Sequence, residues 1–152
     1  MLGRCALLAQ IRNRRRTDEW SDPRGMDTVS QSVLRIVVAF LFVAHGSQKF
    51  FGFPAVEVRA GVPLMSLLGL ASMIEMLGGT LMFLGLLTRP VAFVLAGEMA
   101  VAYFTSHAPR GFWPLVNRGE PAVFFCFTWL YFAAAGAGPW SLDALRGRSR
   151  EE

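Results

Sequence analysis

Charge is scarce in this chain. Asp, Glu, Lys and Arg make up 17% of its 152 residues, against about a quarter in an ordinary soluble domain. Cysteine is nearly absent, with only Cys5 and Cys126, far apart and in no Cys-x-x-Cys pair. That excludes a disulfide scaffold, an iron–sulfur spacing and a dithiol redox centre. A dinucleotide fingerprint, a phosphate loop, a zinc motif and a nucleophile elbow are all missing, so no metal site and no self-contained catalytic motif is expected. What the chain has in quantity is apolar: 53% of residues, enough to exclude disordered and collagen-like classes. The class that remains is a small integral membrane protein.

The charges that do occur are unevenly placed. Residues 1–25 hold six arginines against Asp18, Glu19 and Asp22, while the rest of the chain is close to neutral. No aromatic-interleaved basic surface follows, so nucleic acid is not an expected partner. The segment is not a secretory signal either, because the short apolar piece Cys5–Ile11 runs into arginines where a small-residue cleavage site belongs. Two readings of it stand side by side. Residues 1–28 form a disordered basic arm on the anionic leaflet, or translation starts at Met26. The membrane domain is then expected over 29–146, with a charged tail at 147–152.

A membrane helix needs roughly 20 mostly apolar residues. Four stretches qualify, at about 30–51, 63–87, 90–108 and 120–138, separated by breakers such as Gly52 with Pro54, Thr88-Arg89-Pro90 and Gly138-Pro139. The runs are continuous and do not alternate, which excludes a β-barrel. The predicted fold is therefore all-α, a four-helix transmembrane bundle. With the amino terminus inside, the cytoplasmic side collects ten basic residues and the opposite side four: Lys49, Arg59, Arg110 and Arg118. Both termini are thus expected to be cytoplasmic. A start at Met26 evens that count, and Arg35 near the inner end of the first span then tips it the same way. Ala92, Ala96 and Ala100 every four residues, with Gly78, Gly79 and Gly85, predict close helix packing.

Ionisable residues within the spans are costly and point into a bundle, which makes them functional candidates. They are Arg35, His45 and Lys49, accompanied by Gln48, on the first span, Glu75 on the second, and Glu98 and His107 on the third. At ~1.5 Å per residue from the inner boundary, Glu98, Glu75 and His45 fall about 12, 18 and 22 Å deep, alternating between helices. A polar ladder is therefore possible across the bundle. The plainer reading pairs Arg35 with Glu98, and Glu75 with His45 or Lys49, as buried register-fixing contacts. The sharper one makes His45, Gln48, Lys49, Glu75 and Glu98 the lining of a pocket for a polar headgroup such as a quinone, exchanging protons with it. His45, Gln48 and Lys49 share one face at i, i+3 and i+4.

These residues also carry a resemblance. The run His45-Gly46-Ser47-Gln48-Lys49-Phe50-Phe51-Gly52 resembles the HGxQK-type end of the first helix in the DoxX family. Glu75 with Gly78-Gly79 and then Gly85-Leu86-Leu87-Thr88-Arg89 resembles its second helix and following turn. Gly136-Ala137-Gly138-Pro139-Trp140-Ser141-Leu142-Asp143 resembles its GxGxxSLD close. Together the matches span about 29–146. The resemblance implies a small membrane protein with a redox association: a quinone-interacting subunit of a thiosulfate:quinone oxidoreductase-like or oxidative-stress complex, with no intrinsic cofactor and a bound quinone. It brings no settled catalytic residues. Ser141 is expected to cap a short juxtamembrane helix with Asp143 in its first turn. Two other functions remain open: a non-catalytic scaffold recruiting soluble redox enzymes, and a small transporter, which would need homo-oligomerisation.

Overall fold

The computed structural model describes residues 23–54, 63 and 65–148. The arginine-rich arm ahead of residue 23, Arg59 and residues 149–152 lie outside the described residues. Helix α1 runs Pro23–Phe51, α2 Leu67–Leu84, α3 Thr88–Ala102, α4 Pro114–Asn117, α5 Glu120–Ala135 and α6 Leu142–Arg148. No strand occurs among the described residues. Helix α1 begins inside the segment expected to be tail.

Local chemistry sets the other boundaries. Helix α2 starts at Leu67 and not at Pro63 because the Ser66 hydroxyl accepts the Gly69 N–H at 3.0 Å as an N-cap. It ends where Gly85 turns left-handed at φ 67°. There the Leu86 N–H reaches Leu81 O at 3.0 Å and the Gly85 N–H reaches Met82 O at 3.1 Å, the paired bonds of a Schellman close. Three residues later α3 begins, its first free N–H groups taken by a carboxylate from α6: Leu87 N–H to Asp143 Oδ1 at 2.9 Å and Thr88 N–H to Oδ2 at 2.8 Å. Ser141 caps α6 in turn, accepting the Ala144 N–H at 3.1 Å. Helix α5 stops at Ala135 because Gly136 takes φ 92°.

The bundle is two packed pairs, α1 on α2 and α3 on α5, with α2 and α3 closing the ring. At the centre Phe42 meets Phe125 and Trp129 edge-on, at 5.0 and 5.2 Å between ring centroids, over buried Val38, Met82, Ala92, Leu95 and Ala96. Small residues permit the close approach: a Cβ on Gly78 would lie 2.6 Å from Leu95 Cδ2, and one on Gly46 3.0 Å from Ser72 O. Outside, Phe40, Leu77, Phe93 and Phe127 are each more than 60% exposed. An apolar exterior over a packed interior is what a bilayer requires. Among the described residues, three helical stretches are long and apolar enough to cross it, Thr28–Phe51, Leu67–Leu84 and Thr88–Arg110. The fourth, α5, has 16 residues and spans about 24 Å, short of the roughly 30 Å hydrocarbon core.

Arg35 corrects one expectation. It is fully buried, but its partner is not Glu98. Its guanidinium donates to the carbonyls of Met82, of Phe83 at 2.8 Å, of Ala137 at 2.9 Å and of Trp140 at 2.5 Å. The reason is geometric. Arg35 lies level with the carboxyl end of α2, whose last carbonyls have no helical donor and carry the negative end of the helix dipole. Glu98 sits ten residues into α3, about 15 Å further along the bundle. Gln31 Nε2 donating to Gly136 O at 2.8 Å, and Trp140 N–H donating to Ser32 Oγ at 3.2 Å, finish the clamp. The start of α1 and helix α6 therefore occupy the same end of the bundle.

Candidate functional site

The opposite end holds a cavity of about 190 Å³. Helix α1 contributes Phe42, His45 and Lys49, and α2 contributes Glu75. Met99 and Ala102 come from α3, and Ala122 and Phe125 from α5. His107 and Arg118 complete the wall from the connection between α3 and α5.

Glu75 reaches the cavity because Gly46 lets α1 sit almost on the α2 backbone at that level. Its carboxylate, 2% exposed, accepts from Lys49 Nζ at 2.5 Å through Oε1. The second oxygen, Oε2, is buried and has no hydrogen-bond partner. Lys49, 28% exposed, keeps its other donor directions open. His45 Nδ1 faces Leu41 O at 2.8 Å. A carbonyl only accepts, so Nδ1 carries the proton and Nε2 is the ring nitrogen left for a ligand. The ring stands edge-on to Phe125 at 5.4 Å.

His107 owes its place to a local irregularity. After Ala102 the chain widens into a π-helical turn, Tyr103–His107, and then a 3₁₀ turn, Ala108–Arg110. Such a bulge rotates the side chains that follow it. His107 ends stacked on Tyr103 at 6.4 Å with Nδ1 at 3.2 Å from Asn117 O. Asn117 ties the segment down by donating to Gly111 O at 2.6 Å and accepting from Gly119 N–H at 2.7 Å, while Tyr103 OH donates to Phe112 O. Arg118 follows in the left-handed region at φ 59°, an uncommon place for a non-glycine residue. It makes no hydrogen bond or ion pair among the described residues.

Of the residues read from the sequence as pocket lining, the structure brings His45, Lys49 and Glu75 together. Gln48 is half-buried but does not line the cavity, and neither does Glu98. Both Glu98 oxygens are buried and make no hydrogen bond. His107 was legible only as a costly group in a span, and Arg118 only as a loop charge. No sequence pattern announces the π-helical turn that brings them in.

A family model described as DoxX matches residues 30–108, just over half of the chain. Among curated proteins, an uncharacterized protein of Haemophilus influenzae is 44% identical over 115 residues, covering 72% of this chain and 85% of its own length. An uncharacterized membrane protein of Mycobacterium tuberculosis is 28% identical over 126 residues, 72% of this chain and 77% of its own. CatD of Bacillus subtilis, named as a candidate oxidoreductase, is 27% identical over 113 residues, 73% of this chain and 82% of its own. No solved structure matches this chain.

Proposed function

The chain belongs to the DoxX family, and from that premise we propose that it is a quinone-interacting subunit of a redox complex in the bacterial plasma membrane. The oxidoreductase name carried by CatD supports the redox association. The observation that carries the reading is the Lys49–Glu75 pair, set in the wall of a cavity and left with one buried carboxylate oxygen unpartnered. A structural ion pair is stabilised by satisfying all its atoms. This one leaves capacity for a ligand.

Size narrows the occupant. An apolar cavity of about 150 Å³ holds benzene. The 190 Å³ here suits one six-membered ring and leaves an isoprenoid tail outside, along the lipid. Phe125 and Met99 supply apolar contact to a ring. Lys49 and Arg118 donate to its oxygens, and His45 Nε2 accepts a hydrogen bond from a ring hydroxyl. The Glu75 carboxyl, with one oxygen left unpartnered, is the group through which a proton passes to a quinone oxygen that gains electrons. The electrons come from a partner enzyme; the chain's residues bind the ring and move the proton.

The test is quinone binding by the protein in nanodiscs, titrated with a short-tailed benzoquinone, for wild type, Glu75→Gln and His45→Ala. The reading requires that both variants bind at least about tenfold more weakly, the loss of one charge-assisted contact. Unchanged binding in both removes these residues from the site. Should they bind normally while removal of residues 1–22 releases a stoichiometric soluble redox enzyme, the scaffold function takes its place.

A further inference from the structure

A second concavity lies at the other end of the bundle, the end shared by the start of α1 and helix α6. It is an open groove of about 490 Å³ between the α2–α3 turn and the turn Gly136–Gly138, with Ser141 and Asp143 of α6 on one side. We propose that this groove holds the phosphodiester of a membrane phospholipid, anchored by Arg89.

Arg89 lines the groove and lies beside Gly136. Gly136 takes φ 92°, and a Cβ built on it would stand 3.6 Å from Arg89 Nε and 3.8 Å from Nη2. The guanidinium thus lies over bare backbone. It makes no hydrogen bond or ion pair among the described residues. Arg35 and Arg110, by contrast, are matched, Arg35 by four carbonyls and Arg110 by Ser106 O at 2.6 and 3.0 Å. The acid in the same groove, Asp143, does not serve Arg89, because its two oxygens are already turned to the Leu87 and Thr88 N–H groups. A planar fork of N–H donors is therefore presented without an acceptor, and a phosphate oxygen pair is the acceptor that matches it.

The surroundings decide between a lipid and a free anion. The groove sits where α2 and α5 end and α3 begins, the level of the headgroups. Trp140 is 57% exposed and Leu145 59% exposed on the neighbouring segment, an aromatic and aliphatic rim of the kind found at the membrane interface. A soluble phosphate gains nothing from such a rim, whereas an acyl chain continues along it. Basic pockets between helices at this level are established lipid sites in other membrane proteins. The groove is separate from the Lys49–Glu75 cavity and does not depend on the quinone reading.

Native mass spectrometry of the full chain, released from detergent with phosphatidylglycerol added in steps, tests it. Wild type should take its first lipid about fivefold more tightly than Arg89→Gln, the effect of one arginine at the membrane surface. Arg110→Gln, which removes a cation at the far end, should match wild type. Arg89→Lys keeps the charge without the planar fork and should fall between wild type and Arg89→Gln. Inorganic phosphate at the same concentrations should not displace the lipid. Equal lipid retention by wild type, Arg89→Lys and Arg89→Gln overturns the proposal. So does displacement by inorganic phosphate, which would make the groove a site for free anions.

Discussion

Replacing Arg35 by Met, with and without Glu98→Gln, separates the carbonyl clamp from a buried ion pair. The guanidinium serves the carbonyls of Met82, Phe83, Ala137 and Trp140, and its loss leaves the last three without a donor, while Met82 O keeps the Gly85 N–H. Each buried acceptor left unmade costs about 1–3 kcal/mol, but these lie at a helix end that water reaches once the arginine is gone. Burying the guanidinium is itself expensive, so part of the gain is already offset. The net cost of Arg35→Met is therefore about 3–5 kcal/mol. Glu98 stands about 15 Å away along the bundle and shares no partner with Arg35. Its substitution should add independently, with a coupling energy within about 0.5 kcal/mol of zero. Reversible unfolding in mixed micelles with increasing dodecyl sulfate measures all four corners of the cycle. A coupling above about 1.5 kcal/mol, the lower end for close charge pairs, would restore the ion pair and refute the clamp. So would Arg35→Met as stable as wild type.

Lys49→Met alone leaves Glu75 buried beside the cavity without its ammonium and should destabilise by about 3–5 kcal/mol; the double variant Lys49→Met, Glu75→Leu recovers most of that in the same unfolding assay. Gly46→Ala drives a Cβ to 3.0 Å from the Ser72 carbonyl and 2.8 Å from Met76 Cγ, so overpacking of α1 on α2 costs about 1–3 kcal/mol, read as a lowered Tm. Asp143 gives a pH dependence. Burial opposes its charge, but hydrogen bonds from Thr88 and Leu87 and the nearby Arg146 outweigh that and hold its carboxyl below the usual range. A depressed folded pKa means a contribution fully present above about pH 4, the unfolded value, and lost as pH falls through the folded one. Melting curves from pH 7 downward should show that loss in wild type and not in Asp143→Asn, which is about 1 kcal/mol less stable at neutral pH.

Much of the architecture was legible because a bilayer imposes a simple rule on composition. Apolar runs broken by Gly and Pro gave the helices, and the four-residue spacing of Ala92 and Ala96 gave a buried face that the structure shows packed. Caps were readable where the chemistry is local, as at Ser141. Contacts set by the ends of helices were not. Arg35 bonds to backbone carbonyls, which have no letter in a sequence, so the reading supplied it with the acid of nearest depth. The second role of Asp143, capping α3 from α6, depends on a turn made by Gly85 more than 50 residues earlier. The cavity was half legible: His45, Lys49 and Glu75 stood out as charges that a membrane tolerates only at a cost. His107 and Arg118 join them through a π-helical turn and a left-handed residue, features fixed by tertiary packing around Asn117.

Photolabelling addresses the central claim most directly. The protein in native-like membranes is irradiated with an azido-benzoquinone carrying a short isoprenoid tail, and the labelled residues are mapped by peptide mass spectrometry. Label concentrated at His45–Lys49, at Glu75 and at His107–Arg118, and suppressed by excess unlabelled quinone, is the predicted result. Label spread over the lipid-facing Phe40, Phe93 and Phe127, with no competition and none at the cavity wall, would contradict it.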